Sequence, residues 1–470
     1  MFIKSISFLL IATLLFLSVP AVRSADVAEL KHSLPDFRGI SSWNGLVGLT
    51  MFSPDGKHLA MSGKGGDVLL YDTETGKLLY TIEPADFQGF SFTPDGKFIL
   101  GQMRADLSVF VYDLATGKPV RQIRGLGKLA AINKGYSPGL LNMVNGVPLM
   151  GQEMGPVPML DDWKTVLMNR NDKEFTLVDF QSGDKVFEIE HEKYSAGWEA
   201  TKLALVLLAT VAGAPSATLL LGSTSAPRVS PGGKFLLIAN GNKFPTLWDL
   251  QARKLVKAID TGDKVFWSNF SPDDSMIATS DSKGITKIWS TASGDLITTI
   301  GSKSSQGLAA GWTDDSSKIL VMPVRKGELK AHRVKDASVS HTFPGSQAGG
   351  FLFNNSGSRL LAIPTKNKKV LFQIWDTETG RLLSTAPRIK GQNGLISAKW
   401  SPDDSKIVTA SGIKKVIQLW NSRGEHLQDL RNSTMPMQFS PDGRFLATGG
   451  EEGPKKEDTG YIWSLPARRD

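Results

Sequence analysis

Short apolar runs separated by polar turns extend over almost the whole chain. Residues 68–72, 109–113 and 286–290 are typical runs, rich in Val, Leu, Ile and aromatic side chains and bounded by Gly, Asp, Ser or Thr. Runs of this length and composition predict β-strands, because an amphipathic helix needs apolar positions three or four residues apart over a longer stretch. No such helical stretch of sufficient length stands out, so the pattern predicts an all-β protein.

The polar turns repeat one motif, in which an aromatic or apolar residue precedes Ser-Pro-Asp-Gly or a near variant. The copies are FSPDGK at 52–57, FTPDGK at 92–97, MLDDWK at 159–164, VSPGGK at 229–234, FSPDDS at 270–275, WTDDSS at 312–317, FNNSGS at 353–358, WSPDDS at 400–405 and FSPDGR at 439–444. Proline fixes φ, aspartate hydrogen-bonds its own backbone and glycine tolerates a positive φ. Each motif therefore predicts a tight turn between two strands.

A second signal follows each turn, namely a strand that ends in an aromatic and a polar residue. The endings are VLLYD at 68–72, VFVYD at 109–113, TLVDF at 176–180, PTLWD at 245–249, TKIWS at 286–290, LKAHR at 329–333, FQIWD at 372–376, IQLWN at 417–421 and GYIWS at 460–464. A further turn and strand follow most of them, so each unit predicts four short antiparallel strands. One such sheet buries its two faces only by packing against neighbours of the same kind.

The repeated SPDG turn and the IWD or LWD strand ending resemble the WD40 β-propeller family over nearly all of 40–465. The resemblance implies a ring of four-stranded antiparallel blades that acts as a binding scaffold. Its structural repeat positions fall here on Trp248, Asp281, Trp289, Trp375, Trp420 and Trp463. No histidine follows a glycine in this chain, so the His-Ser-Asp-Trp network of the family is not expected. Asp281 is the nearest match to the family's tight-turn aspartate.

The repeats predict a single ring of about eight blades, within a range of seven to nine, over residues 46–470. The last unit ends near Trp463 without a fourth strand, and the N-terminal segment 25–45 is expected to supply it, so that strands from both ends close the ring. Two alternatives stay open. One weak unit, around 159–190 or 312–343, lies outside the ring, or the chain forms two smaller rings.

Residues 1–24 have the form of a secretory signal peptide. Lys4 precedes an apolar stretch from residue 6 to residue 19, Pro20 follows it, and small residues Val22 and Ser24 mark a cleavage site after Ser24, with Ala25 as the second choice. The protein is therefore expected to be exported, either to the periplasm or to the exterior. A retained membrane anchor is the alternative. The chain contains no cysteine, which excludes disulfides, thiolate metal sites and a lipid-modified cysteine.

Two stretches stand outside the repeat and are predicted to be insertions, at 125–158 and 191–223. The first contains Met143, Met150 and Met154, with Met159 just beyond it. Clustered thioethers either bind Cu(I) or fill gaps in packing, and packing is favoured because no His or Cys accompanies them. The uncharged stretch at 203–222 is long enough to span a membrane, but Gly213, Pro215 and Ser216 in its middle favour a buried hairpin. No membrane span is expected in the mature chain.

Candidate catalytic chemistry is weak. The six histidines are scattered without ligand spacing, and neither a nucleophile elbow nor a phosphate-binding glycine loop is present. Adjacent aspartates recur at 161–162, 273–274, 314–315 and 403–404, always in the first turn of a unit. A residue that recurs in every unit serves the fold, so these aspartates are predicted to cap turns. No catalytic residue, metal site or cofactor is expected.

Charge gives a better indication of a binding surface. The precursor carries 54 basic and 46 acidic residues, a formal net charge of +8. The sixth, seventh and eighth units each have a predicted loop between their second and third strands. Together these three loops carry seven basic residues, accompanied by Glu328. These residues are Arg325, Lys326, Lys366, Lys368, Lys369, Lys414 and Lys415. We name this set the basic sector and expect it either to bind an anionic partner or to serve solubility.

The sequence thus favours a non-enzymatic, protein-binding scaffold outside the cytoplasm, monomeric and without nucleic acid, because export separates it from nucleic acid. The main alternative is a propeller enzyme with its active site in the central channel, similar to lactonase-like hydrolases. That alternative requires polar side chains from several blades to converge on the axis. A purely structural protein of the cell envelope is the third possibility.

Overall fold

The fold is known from a computed structural model of the full chain. The structure describes residues 27–35, 37, 50–64, 66–83, 87–103, 108–123, 128–129, 133–134, 143–144, 147–148, 159–160, 165–169, 174–190, 228–239, 243–281, 283–301, 307–323, 328–344, 348–364, 369–389, 395–411, 416–452 and 457–466. Within these residues the regular structure consists of β-strands without a helix, which confirms the predicted all-β class.

Nine sheets of four or five strands follow one another along this part of the chain. The first strand, β1 (Glu29–Leu34), belongs to the last sheet. Sheet 1 contains β2 (Thr50–Phe52), β3 (His58–Ser62), β4 (Val68–Asp72) and β5 (Leu78–Ile82). Sheet 2 contains β6 (Phe87–Phe92), β7 (Phe98–Met103), β8 (Val109–Asp113) and β9 (Pro119–Ile123).

Sheets 3 and 4 incorporate pieces of the first insertion. Sheet 3 contains β10 (Lys128–Leu129), β14 (Met159–Leu160), β15 (Thr165–Asn169), β16 (Glu174–Asp179) and β17 (Lys185–Glu190). Sheet 4 contains β11 (Asn133–Lys134), β18 (Arg228–Val229), β19 (Phe235–Ile238), β20 (Thr246–Asp249) and β21 (Lys254–Ala258). In the chain order, a separate hairpin of β12 (Met143–Val144) and β13 (Val147–Pro148) comes between β11 and β14.

The remaining sheets are regular. Sheet 5 contains β22 (Val265–Phe270), β23 (Met276–Asp281), β24 (Thr286–Ser290) and β25 (Leu296–Ile300). Sheet 6 contains β26 (Gly307–Trp312), β27 (Lys318–Pro323), β28 (Lys330–Arg333) and β29 (Val339–Thr342). Sheet 7 contains β30 (Ala348–Phe353), β31 (Arg359–Pro364), β32 (Val370–Asp376) and β33 (Leu382–Pro387). Sheet 8 contains β34 (Leu395–Trp400), β35 (Lys406–Ser411), β36 (Val416–Asn421) and β37 (His426–Arg431). Sheet 9 contains β38 (Ser433–Phe439), β39 (Phe445–Glu452), β40 (Glu457–Ser464) and β1.

Clusters of buried apolar side chains lie between successive sheets and complete a ring. Among the described residues, one cluster fills each interface from sheet 1 to sheet 9, and a further cluster joins sheet 9 to sheet 1. In that last cluster Phe445 and Ile462 of sheet 9 pack with Leu59 and Met61 of sheet 1. Both faces of every sheet are therefore covered, as the repeat predicts. Nine sheets lie at the upper end of the predicted range.

The two alternatives to a single ring are wrong. The weak units at 159–190 and 312–343 form parts of sheets 3 and 6, and the cluster sequence runs through both. A pair of smaller rings would interrupt the sequence of clusters between the middle sheets, where sheets 4 and 5 pack together through Leu237 and Phe270. Apolar burial on both faces is the physical reason that the weak units are retained in the ring.

The N-terminal strand closes the ring. β1 pairs antiparallel with β40, with Glu29 opposite Ser464 and Leu34 opposite Gly460. On one side, the Gln428 amide of sheet 8 binds both backbone groups of Ala28: it accepts from the nitrogen at 2.7 Å and donates to the oxygen at 3.0 Å. On the other side, Tyr71 of sheet 1 donates to the Pro35 carbonyl at 2.9 Å. The closing segment is thus attached to three sheets.

Described strands of the first predicted insertion, 125–158, pair with sheets 3 and 4. β10 and β14 both pair with β15, so the insertion leaves from the first strand of sheet 3. β11 then pairs parallel with β18 of sheet 4, and the β12–β13 hairpin lies beside β34 of sheet 8. The second predicted insertion, 191–223, lies outside the described residues, as does the stretch 203–222.

Candidate binding surfaces

The strand order gives the ring two faces. Turns between first and second strands, and between third and fourth strands, lie on one side, which we name the turn face. Loops between second and third strands, and those that lead to the next sheet, lie on the other side, which we name the loop face. The described aspartates of the repeated turns lie on the turn face, and Lys369 of the basic sector lies on the loop face.

The repeated turns on the turn face hold themselves together. In the first, Ser53 Oγ donates to Asp55 Oδ1 at 2.6 Å and accepts from the His58 nitrogen at 2.9 Å, while the Lys57 nitrogen donates to Asp55 at 3.1 Å. Burial alone would raise the pKa of the Asp55 carboxyl, but these hydrogen bonds outweigh it, so the pKa is lowered. The same hydroxyl–carboxylate pair recurs at Thr93–Asp95, Ser271–Asp273, Thr313–Asp315, Ser401–Asp403 and Ser440–Asp442.

The second aspartate of two pairs has a role that the sequence did not indicate. Asp274 and Asp404 adopt φ of 63° and 58°, where most other units have glycine. Asp274 Oδ2 accepts from the Gly232 nitrogen of sheet 4 at 2.7 Å. Asp404 accepts from the Asn355 nitrogen of sheet 7 at 2.7 Å. Both carboxylates therefore attach their turn to the turn of the preceding sheet.

The choice of residue at this left-handed position follows the charge of the preceding turn. Before Asp274 and Asp404, the preceding turns carry Gly232 and Ser356 at the place where other turns have the capping aspartate. Where a described turn has its capping aspartate, the left-handed position in the turn of the next sheet is uncharged. Ser316 follows the turn of Asp273, for example, and its hydroxyl accepts from the Asp273 nitrogen at 3.2 Å. A carboxylate there would face another carboxylate, which is unfavourable.

Three of the tryptophan positions have one hydrogen bond in common. Nε1 of Trp289, Trp420 and Trp463 donates to a threonine hydroxyl two residues beyond its strand partner, at 2.8, 2.9 and 3.1 Å. At Trp375 the corresponding residue is Ala362, and in the described part of the chain Nε1 of Trp375 has no acceptor. Trp248 is only half-buried and donates instead to Thr246 within its own strand.

Asp281 is the last residue of β23 and opens a tight turn. The carboxylate is buried and accepts from the nitrogens of Lys283 and Ile285, both at 2.9 Å. Gly284, with φ of 73°, completes the turn by donating to the Asp281 carbonyl. Asp281 therefore shapes a loop on the loop face and is itself inaccessible to a partner.

Of the basic sector, the structure describes Lys369. Its side chain is exposed at the start of β32, and its carbonyl accepts from the Arg388 nitrogen at 2.8 Å. Arg325, Lys326, Lys366, Lys368, Lys414 and Lys415 lie outside the described residues. Whether the seven side chains form one surface therefore stays a prediction. Met150 and Met154 also lie outside the described residues.

The best-defined part of the loop face lies on sheets 4 and 5, around Phe244. This phenyl ring is 43% exposed, and Lys243 Nζ lies 5.0 Å from its centroid. The Lys243 carbonyl accepts from the Thr261 hydroxyl at 2.7 Å, so the loop of Phe244 is attached to the loop that leads into sheet 5. Lys287 donates to the Thr261 carbonyl at 2.9 Å. Exposed aromatics on rigid loops are typical of binding surfaces.

Charged groups surround this aromatic in pairs. Lys243 Nζ lies 3.6 Å from Asp260, and Lys283 Nζ lies 2.9 Å from Asp263. The hydrogen bond with Asp263 raises the pKa of Lys283. Within the described residues, no three His, Asp or Glu side chains are grouped as metal ligands, and no helix there is long and apolar enough to cross a membrane.

Comparison with known proteins agrees with this architecture. No family model matches the chain. A stretch of 100 residues is 28% identical to the small ribosomal subunit protein RACK1 of Caenorhabditis elegans; it covers 21% of this chain and 30% of that protein, so the chain spans about a third of the relative's length.

Solved structures align over more of the chain. A crystal structure of the eukaryotic initiation factor aligns over 85% of this chain and 90% of its own, with a TM-score of 0.56 and 14% identity. The C-terminal WD40 domain of Sif2 aligns over 94% of this chain and 99% of its own, with a TM-score of 0.47 and 10% identity. The ring of four-stranded sheets, the repeated turns and the tryptophan positions define a WD40-type β-propeller.

Proposed function

We propose that this propeller is a non-enzymatic scaffold that binds a partner protein through its loop face. The observation that supports the proposal most directly is the exposed ring of Phe244 on a loop attached to its neighbour by Thr261 and Lys287. A rigid aromatic loses little conformational entropy when a partner covers it, which is why such residues dominate binding energy at interfaces.

The partner that fits this face best is an acidic protein segment. Lys243 and Lys283 beside the aromatic loop are each paired with an aspartate, so the preference for an acidic partner rests on the basic sector, which is predicted to continue the loop face over sheets 6 to 8. Rim charges of this kind speed association and select the partner more than they add affinity. Binding is therefore expected to weaken as salt rises. An anionic glycan or a lipid surface is an alternative outcome of the experiment below.

The place of action that we propose is outside the cytoplasm, on the basis of the signal-like residues 1–24. A chain without cysteine has no thiols to oxidise there. The propeller then depends on its apolar interfaces rather than on disulfides for stability, and the closed ring supplies one such interface per sheet.

The experiment compares capture by the mature protein and by variants from the envelope fraction of its own cell. A captured protein is then purified and titrated against wild type, Phe244→Ala and Leu255→Ala. Leu255 is 44% exposed, about the same as Phe244, but lies on the outer strand of the same sheet. We expect affinity to fall roughly tenfold or more for Phe244→Ala and to stay unchanged for Leu255→Ala.

A third variant tests the charge of the partner. Replacement of Lys366, Lys368, Lys369, Lys414 and Lys415 by Ser should lower the association rate and flatten its dependence on salt. Equal affinities for Phe244→Ala and Leu255→Ala would show that the partner binds elsewhere. Salt-dependent binding to anionic vesicles or glycans, with no protein captured, would replace the protein partner by one of these.

A further inference from the structure

Neighbouring sheets are joined near the turn face by a side chain on the fourth strand. This side chain reaches the turn between the third and fourth strands of the following sheet. Four contacts of this kind are those of His32 with the Glu74 carbonyl at 2.8 Å, Tyr80 with the Ala115 carbonyl at 2.5 Å, Lys257 with Asp295 at 2.5 Å and His341 with the Thr377 carbonyl at 3.1 Å. Of these residue types, only histidine changes charge between pH 5 and pH 8.

The His341 ring of sheet 6 is held against the turn of sheet 7. A carbonyl oxygen only accepts, so Nε2 of His341 carries the proton that it donates to Thr377. The ring centroid lies 5.1 Å from that of Phe343, in an edge-to-face arrangement. The turn backbone lies so close that a Cβ on Gly380 would stand 2.5 Å from His341 Cδ2. The half-buried ring is therefore covered largely by an aromatic side chain and by backbone.

The acidic groups that face His341 already have partners. Lys318 of β27 donates to the Glu378 carboxylate at 2.5 Å. Asp376 Oδ1 accepts from the Thr379 nitrogen at 2.8 Å and from the Thr379 hydroxyl at 2.7 Å. A positive charge on His341 would thus share both carboxylates with other donors.

Basic groups lie around the ring as well. Lys318 repels a charge on His341. β28, which pairs with β29, adds Lys330 next to the residue opposite His341, and Arg381 lies between the turn and β33. Burial is the largest influence on the ring and, together with Lys318, it lowers the pKa of His341 against the pull of the Thr377 carbonyl and of the two carboxylates. The folded protein therefore favours the neutral ring.

We propose that the contact between His341 and the turn of sheet 7 is a pH-sensitive joint, which opens locally when the ring takes up a proton. The hydrogen bond to Thr377 is not what protonation breaks, because Nε2 keeps its hydrogen. The charge itself is the cause, since an imidazolium is better hydrated when the turn moves away from it. The joint lies at the turn face, and the proposed binding of a partner by the loop face does not depend on it.

Two other histidines do not fit this role. His32 makes the same contact with sheet 1, but its hydrogen bond with Glu74 is exposed, so a charged ring stays hydrated there. His332 belongs to sheet 6, but its Nδ1 donates to the Ala337 carbonyl at 2.9 Å within the same sheet. Both residues therefore serve as controls.

The direction of the effect follows from the linkage between protonation and opening. The open joint has the pKa of a free histidine, about 6.5. Because the pKa of the closed joint is lower, the joint is fully protected above about pH 6.5 and loses protection as pH falls toward the folded pKa. From pH 7.5 to pH 5.5 the loss amounts to about three- to tenfold. The carboxylates of the turns stay charged in this range.

Hydrogen–deuterium exchange of the full-length mature protein, followed by mass spectrometry at pH 7.5 and pH 5.5, tests the joint. Each rate is divided by the intrinsic exchange rate at the same pH. We expect the protection of residues 377–380 and of β29 to fall about three- to tenfold in the wild type. His341→Gln keeps a neutral N–H donor for the Thr377 carbonyl, so its protection should change less than about twofold.

The turn of sheet 2 at 113–117, which Tyr80 contacts, is an internal control and should keep its protection. His32→Gln and His332→Gln should show the wild-type loss at the joint. If His341→Gln does not fold, NMR titration of the His341 ring in the wild type takes its place, and the proposal requires a pKa below about 6.5. Equal protection of the joint at both pH values, the same loss in His341→Gln, or a His341 pKa at or above about 6.5 overturns the proposal.

Discussion

The carboxylate of Asp404 in sheet 8 accepts a hydrogen bond from the backbone nitrogen of Asn355 in sheet 7 at 2.7 Å. The same carboxylate accepts from Asn354 Nδ2 at 2.9 Å and from the Ser356 nitrogen at 3.0 Å. One side chain thus satisfies donors over most of the neighbouring turn. Contacts of this kind join sheets near the surface, where the apolar interface ends.

Replacement of Asp404 by Ala should lower the free energy of unfolding by about 1–3 kcal/mol, because donors of the sheet 7 turn lose a charged acceptor. Asp404→Gly removes the same carboxylate but suits the positive φ of this position, so it should cost less than Ala. Denaturant unfolding of the three proteins checks both effects. An unchanged stability for Asp404→Ala would show that water replaces the carboxylate without loss.

The tryptophans offer a comparison within one fold. Trp420→Phe removes a donor and leaves the buried Thr409 hydroxyl without its partner, whereas Trp375→Phe breaks no hydrogen bond of Nε1 among the described residues. Both rings are buried and both changes remove a similar volume. We therefore expect Trp420→Phe to be the more destabilising by about 1 kcal/mol. Thermal unfolding of the two variants measures the difference, and the reverse order would contradict it.

Acid should destabilise the ring through its turns. The Thr75 hydroxyl donates to Asp72 at 2.7 Å and lowers the pKa of that carboxyl, and the pKa values of Asp179 and Asp442 are also lowered. A depressed folded pKa stabilises the folded state above the unfolded pKa, about 3.9, and the gain is lost as pH falls through the folded values. The stabilisation from these carboxylates should thus be constant from pH 7 to pH 5 and be lost below about pH 4, as the unfolding temperature over a pH series would show. Burial lowers the pKa values of His332 and His341, so these two residues should add a separate loss of stability below about pH 6.5.

Asp72→Asn isolates the contribution of charge at one turn. Asparagine keeps an acceptor oxygen for Thr75 but has no charge to titrate. The variant should be less stable than wild type at pH 7, and the difference should disappear at the lowest pH values. The measurement is the unfolding temperature of both proteins over a series of pH values. A constant difference at every pH would mean that shape, and not ionisation, is responsible.

The structural elements that recur from unit to unit could be predicted from the sequence. The turn caps of Asp55 and Asp273, the third strands ending at Trp289 and Trp420, and the closing strand all follow from local patterns whose physical meaning does not depend on neighbours. The ring then follows, because a four-stranded sheet with two apolar faces needs a neighbour on each side.

Contacts between different units could not be predicted from the sequence. The bond from Asp274 to Gly232 depends on which turn comes before, and the pairing of β11 with β18 joins segments separated by the second insertion.

The closing strand offers the last prediction. Gln428 of sheet 8 binds both the nitrogen and the oxygen of Ala28, and Thr459 donates to the Leu34 carbonyl at 3.0 Å, so the two ends of β1 are held by different sheets. Gln428→Ala should leave both backbone groups of Ala28 without these partners, at a cost of about 1–2 kcal/mol. Because fraying begins at strand ends, amide exchange should accelerate in β1 and β40 while sheet 5 keeps its protection.

Gln428→Glu is the matched control. It keeps the acceptor for the Ala28 nitrogen and loses only the donor, so its exchange should fall between wild type and Ala. Uniform acceleration over all sheets would show instead that the ring opens as a whole.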